Sequence, residues 1–77
     1  MAQLLSPLPG TFYRRSAPDK PAYKEEGETV AKGEVVGLIE VMKTFNEVKS
    51  DVAGKIVKFI AENEEPVMAG QPLVEIV

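Results

Sequence analysis

Apolar residues fall in short runs separated by glycine and proline, and the runs have the length of strands. Val35-Val36-Gly37-Leu38-Ile39 is continuous and apolar, which suits a strand buried on both faces. Lys55-Ile56-Val57-Lys58-Phe59-Ile60 and Leu73-Val74-Glu75-Ile76-Val77 supply two more. Breaks at Gly10, Gly27, Gly33, Gly54, Gly70 and Pro72 cut the chain into many short pieces, the punctuation of an all-β sandwich or barrel. Ala61 to Glu65 has local helical character, but a segment this short does not stand as a helix, so it is read as a turn.

The pattern repeats. Ser6-Pro7-Leu8-Pro9-Gly10-Thr11-Phe12-Tyr13 lies over Ser50-Asp51-Val52-Ala53-Gly54-Lys55-Ile56-Val57 at an offset of 44. Glu28 to Val36 lies over Glu65 to Leu73 at an offset of 37, with identities at Glu, Val and Gly. Two similar halves imply a pseudo-twofold domain. The offsets differ by seven, so the first half carries seven extra residues between Tyr13 and Glu28, read as an inserted loop. Pro18 and Pro21 stiffen that loop by fixing φ. Gly33, Gly54 and Gly70 are expected to be turn glycines with positive φ.

Composition narrows the chemistry. Seventy-seven residues make a single small domain, 1–77, that must rest on one apolar core, since there is no cysteine or histidine for a disulfide or an ordinary zinc site. The same absences remove Ser-His and Cys-His dyads, and no phosphate-binding glycine loop is present. A chain this short has little room for a substrate pocket, so it is not expected to be an enzyme by itself. Nine basic and twelve acidic residues leave a net charge of −3, which argues against nucleic acid as a partner. Met1 to Tyr13 is uncharged, but its prolines and lack of a basic start make it neither a signal peptide nor a membrane span. A cytoplasmic location is the expectation.

The segment with chemical interest is Ile39-Glu40-Val41-Met42-Lys43-Thr44-Phe45-Asn46-Glu47-Val48. Strand-like runs flank Met42-Lys43, which places Lys43 near the tip of a hairpin, although the usual Asn-Gly or Asp-Gly turn signal is missing. Lys43 also falls between the two halves of the repeat. Taken as bare residues, Glu40 and Glu47 simply solvate the hairpin. Met42, taken the same way, reads as gap-filling core.

Glu40-Val41-Met42-Lys43 resembles the attachment motif of biotinyl domains, E-[AV]-M-K-[ML]. Ser6 to Arg14 is similar to the opening of the biotin carboxyl carriers of acetyl-CoA carboxylase, and Gly54 to Val57 and Gly70 to Leu73 are similar to that family's second half. Pro18-Asp19-Lys20-Pro21-Ala22-Tyr23 resembles the protruding thumb of the same subfamily, an insertion at about residues 17–24. The resemblance implies a flattened barrel of two four-stranded antiparallel sheets with a thumb loop. It implies biotin, covalently held on Lys43 by a separate biotin protein ligase, with Glu40, Val41, Met42 and Thr44 as the surrounding motif. It also implies shuttling of carboxylate from a biotin carboxylase to a carboxyltransferase, with malonyl-CoA formation for fatty acid biosynthesis as the outcome. Thr44 departs from the usual Met or Leu and makes the tip less apolar.

Other readings remain beside this one: a biotin carrier of another acyl-CoA or urea carboxylase, a lipoyl carrier, or a cofactor-free β module of OB or SH3 type. Met42-Lys43-Thr44 and the thumb oppose the lipoyl reading, whose tip is usually Asp-Lys-Ala. Five aromatic residues and an acidic balance leave little for base stacking or proline-rich peptides.

Overall fold

The short apolar runs pair as strands that send alternate side chains to one inner face. The computed structural model describes residues 2–77. Eight strands follow in order: β1 (Ala2–Leu5), β2 (Gly10–Tyr13), β3 (Thr29–Val30), β4 (Val35–Val41), β5 (Thr44–Lys49), β6 (Gly54–Phe59), β7 (Glu65–Val67) and β8 (Pro72–Ile76). They form two four-stranded antiparallel sheets of order β1-β8-β6-β3 and β5-β4-β2-β7. No helix occurs among the described residues, and Ala61–Glu64 is a turn as expected. Phe12, Val36, Ile39 and Val48 from one sheet meet Leu4, Ile56, Leu73 and Ile76 from the other in a single core. The long central strand β4 is buried on both faces from Val36 to Ile39.

The two sheets are copies. Exchanging β1 with β5, β2 with β6, β3 with β7 and β4 with β8 turns one strand order into the other. Individual bonds repeat as well. Buried Ser6 donates its Oγ–H to the Leu8 carbonyl as buried Ser50 does to the Val52 carbonyl. Gly33 N–H reaches the Ser50 carbonyl at 2.6 Å, and Gly70 N–H reaches that of Ser6 at 2.8 Å. Gly33 and Gly70 have φ of 87° and 83°.

Gly54 corrects the sequence expectation, because it has no positive φ. Gly10 and Gly54 open β2 and β6, and each is required for a close approach. A Cβ on Gly10 would stand 2.5 Å from the Glu40 carbonyl oxygen, and one on Gly54 2.5 Å from that of Val77.

The inserted loop is larger than the sequence offsets suggest. β6 carries an irregularity between Ile56 and Lys58, so Lys58 faces Glu75 as Tyr13 faces Leu38. Beyond it, residues 15–24 join Arg14 to Glu25 where only Ile60 and Ala61 join Phe59 to Glu62. The loop thus gains eight residues and the β6 bulge returns one. The gained segment is a hairpin: Arg15 bridges Ala22, Tyr23 N–H bonds the Arg14 carbonyl at 2.9 Å, and Lys20 N–H bonds the Ala17 carbonyl at 3.1 Å. At its base the Arg14 guanidinium lies 3.9 Å over the Phe59 ring and pairs with Glu25 at 3.1 Å.

The internal copy supplies controls for two substitutions. Gly27 N–H bonds the Ile56 carbonyl with φ of 93°, and in the other half Glu64 N–H bonds the Phe12 carbonyl with φ of 65°. A side chain held in this left-handed region costs about 1–2 kcal/mol, part of which glycine returns as chain entropy. Glu64→Gly is therefore expected to stabilise the domain by about 0.5–1 kcal/mol, read as a raised urea midpoint. A midpoint equal to or below the parent's would contradict this.

Glu34 and Gln71 are the second pair. Glu34 accepts the Ala31 N–H at 3.0 Å and meets Lys24 Nζ at 2.9 Å, while Gln71 accepts the Met68 N–H at 3.0 Å. The Ala31 N–H first, and then Lys24, hold the Glu34 carboxyl below its ordinary range. A depressed carboxylate stabilises the fold above its unfolded pKa, and that contribution is lost as pH falls through the folded value. Glu34→Gln keeps the Ala31 bond and removes the titration. Its stability is expected to fall less than the parent's as pH descends through the carboxylate range, measured by urea unfolding at each pH. Parallel curves would overturn the assignment.

Candidate functional site

Strands β4 and β5 pair from Val35↔Lys49 to Val41↔Thr44, and the last pair leaves Met42 and Lys43 as a two-residue turn. Both have positive φ, 49° and 68°. This is the conformation that a tight hairpin requires and that Asn-Gly adopts at low cost. In Met-Lys it costs about 1–2 kcal/mol per residue. Long pairing below the turn holds the strain, and one side chain caps it: the Glu40 carboxylate accepts the Lys43 backbone N–H at 2.6 Å. Glu40 therefore does more than solvate the hairpin, because it fixes the peptide of the lysine itself. Glu47 does stay exposed, 3.9 Å from Lys49 Nζ.

The tip is open. Met42 is 92% exposed, Lys43 and Thr44 are exposed, and Val41 leans against the core from below. Among the described residues the Lys43 ammonium enters no ion pair or hydrogen bond. Asn46 braces the neck by donating Nδ2–H to the Ile39 and Thr44 carbonyls, each at 3.3 Å. Sequence reasoning passed over Asn46; its one signal is an amide residue inside a strand, where asparagine is uncommon.

Beside the hairpin, the thumb and the outer face of the β5-β4-β2-β7 sheet enclose a cleft of about 220 Å³. Phe45, Tyr13, Ala17 and Pro18 make its apolar walls, and Arg15, Ser16, Asn63 and Glu64 its polar ones. Tyr13 and Phe45 lie with ring centres 6.1 Å apart and planes tilted by 59°. Leu38, in register with Tyr13, is buried yet stands apart from the main core. The other half has Lys58 and Glu75 where this one has Tyr13 and Leu38. The aromatic face is thus a specialisation of the half that bears Lys43, not a property of the fold.

Of the thumb residues singled out in the sequence, Pro18 lines the cleft. Asp19, Lys20 and Pro21 are exposed beyond it, while Ala22 and Tyr23 close the thumb's base. Arg15, Ser16 and Ala17 build the rest of the thumb wall. Tyr13 and Phe45 were missed as site residues because only the sheet register brings them together.

A profile of the family described as "Biotin-requiring enzyme" matches residues 2–76. The chain is 41% identical over 76 residues to the biotin carboxyl carrier protein of acetyl-CoA carboxylase from Nostoc sp., covering 99% of this chain and 42% of that protein. It is 46% identical over 70 residues to the chloroplastic carrier of the same name from Glycine max, covering 91% of this chain and 27% of that protein. The chain therefore spans less than half the length of these relatives. Among solved structures, urea carboxylase of Kluyveromyces lactis superposes with a TM-score of 0.79 at 32% identity, over 99% of this chain and 6% of that one. With a profile matching residues 2–76, a shared fold and Lys43 at the tip of its central hairpin, the chain belongs to the biotinyl-lipoyl family of biotin-requiring enzymes.

Proposed function

We propose that this chain is a biotin carboxyl carrier domain in which Lys43 holds biotin as an amide on Nζ. The observation that carries the reading is the lysine's setting: an exposed amine without a partner among the described residues, on a two-residue turn capped by Glu40, inside Glu40-Val41-Met42-Lys43. The residues present suit biotin, since the amine is accessible to a ligase and an aromatic-walled cleft lies beside it. In the attachment step the deprotonated Nζ attacks the acyl carbon of biotinyl-adenylate. The acyl–phosphate bond breaks, AMP leaves, and the amine proton passes to solvent. The Glu40 carboxylate holds the Lys43 peptide so that the side chain projects from the turn. Met42, Val41 and Thr44 offer the ligase a small, mostly apolar surface around it.

Bound biotin supplies a ureido nitrogen that accepts and releases a carboxylate. The domain's own part is tethering, because a mobile arm on a rigid tip keeps the cofactor at high effective concentration between two active sites. Tyr13, Phe45 and Pro18 give the arm an apolar resting place. The domain itself catalyses neither half-reaction. A biotin carboxylase and a carboxyltransferase are its partners, with a biotin protein ligase for loading. Relatives at 41% and 46% identity, named as carriers of acetyl-CoA carboxylase, support acetyl-CoA as the acceptor. No helix among the described residues is long and apolar enough to cross a membrane. A cytoplasmic location remains part of this proposal, while the Glycine max relative is named as chloroplastic.

Co-expression with a biotin protein ligase, followed by intact mass and peptide mapping, tests the proposal. The expected result is one biotinyl group, on Lys43. An unmodified chain, or a group on another lysine, overturns it.

A further inference from the structure

The cleft beside the hairpin contains one cation, and no carboxylate among the described residues pairs with it. Arg15 lines the cleft, enters none of the ion pairs among the described residues, and its buried Nε finds no hydrogen-bond partner. Its neighbour Arg14 also has a buried Nε without a partner, but differs in that its guanidinium pairs with Glu25 at 3.1 Å and lies over the Phe59 ring. Glu64 shares the cleft but is not paired with Arg15; the Asn63 side-chain amide donates to it at 3.4 Å. Phe45, two residues from Lys43, forms the facing wall.

Apolar walls alone hold a neutral arm at least as well as a charged one. A guanidinium adds a term that only an anion feels, with a fork of N–H donors matched to a carboxylate. Resting on the carrier reading, we propose that Arg15 makes the thumb cleft sensitive to the state of the arm: the transferable carboxylate pairs with Arg15, so the charged arm docks and the uncharged arm stays free. A site can shift a population only by its differential affinity for the two states. A half-exposed ion pair supplies a bias of about three- to fivefold.

The test uses the domain biotinylated on Lys43, verified by mass, then charged by a biotin carboxylase with ATP and ¹³C-bicarbonate. In the parent, the ¹³C carboxylate is expected to relax partly as the domain does, and charging shifts the Arg15 Nε–Hε resonance while biotin alone leaves it in place. In Arg15→Gln the ratio of docked to free arm falls about three- to fivefold, and Arg15→Lys keeps an intermediate value. Added salt reproduces the loss in the parent. The thumb closes through backbone bonds at Arg15 and Ala22, so these variants keep the fold. Equal carboxylate mobility in parent and Arg15→Gln overturns this inference alone. Absence of biotin from Lys43 overturns the carrier reading and this inference with it.

Discussion

Phe12→Ala is expected to remove most of the domain's stability. The ring is fully buried and sits where β2 is held between β4 and β7, in register with Ile39 on one side and Glu65 on the other. It lies so close to β4 that a Cβ on Gly37 would stand 2.6 Å from the ring's Cε1. Phe→Ala in a core costs about 3–5 kcal/mol. A single domain has about 5–15 kcal/mol in all, and a small one lies toward the low end. The melting temperature should fall by upwards of about 12 °C. The twin position gives the control: Ile56→Val, equally buried, removes one methylene, costs about 0.5–1.5 kcal/mol and should leave the domain folded. A Phe12→Ala melting temperature within a few degrees of the parent's would show that the core does not rest on this ring.

The two-half architecture was legible because it is written twice. Ser6 with Ser50, Gly10 with Gly54 and Gly33 with Gly70 mark equivalent positions, and the structure places each pair in equivalent hydrogen bonds or close approaches. Less was legible where the backbone defies local preference. Nothing in Met42-Lys43 announces a turn with two positive φ angles; the strands on either side impose it, and the Glu40 cap that relieves it appears only once the turn has formed. The same holds for Glu64, whose φ follows from its equivalence to Gly27 and not from its own chemistry. The β6 bulge hid one residue of the thumb, because a repeat offset counts only the net difference. The cleft was invisible for another reason. Phe45 lies far in sequence from Tyr13 and Pro18, and their meeting depends on β4 joining β5 to β2 in the sheet and on the direction the thumb folds.

Lys43→Arg is expected to abolish biotin attachment and leave everything else in place. The chain has six other lysines, at 20, 24, 32, 49, 55 and 58, so a ligase has ample amine to choose from. What distinguishes Lys43 is its setting, on a two-residue turn whose peptide is pinned by Glu40. Arginine retains the length, the charge and the backbone N–H that Glu40 binds, so the hairpin persists. Its guanidinium stays protonated at any physiological pH and does not become the nucleophile that acyl transfer requires. The deciding measurement is the intact mass of parent and Lys43→Arg chains after parallel co-expression with a biotin protein ligase, each first verified as folded by its thermal transition. One biotinyl group on the parent and none on the variant is the result this account requires. A biotinylated Lys43→Arg chain, or a folded parent that takes no biotin, would contradict it.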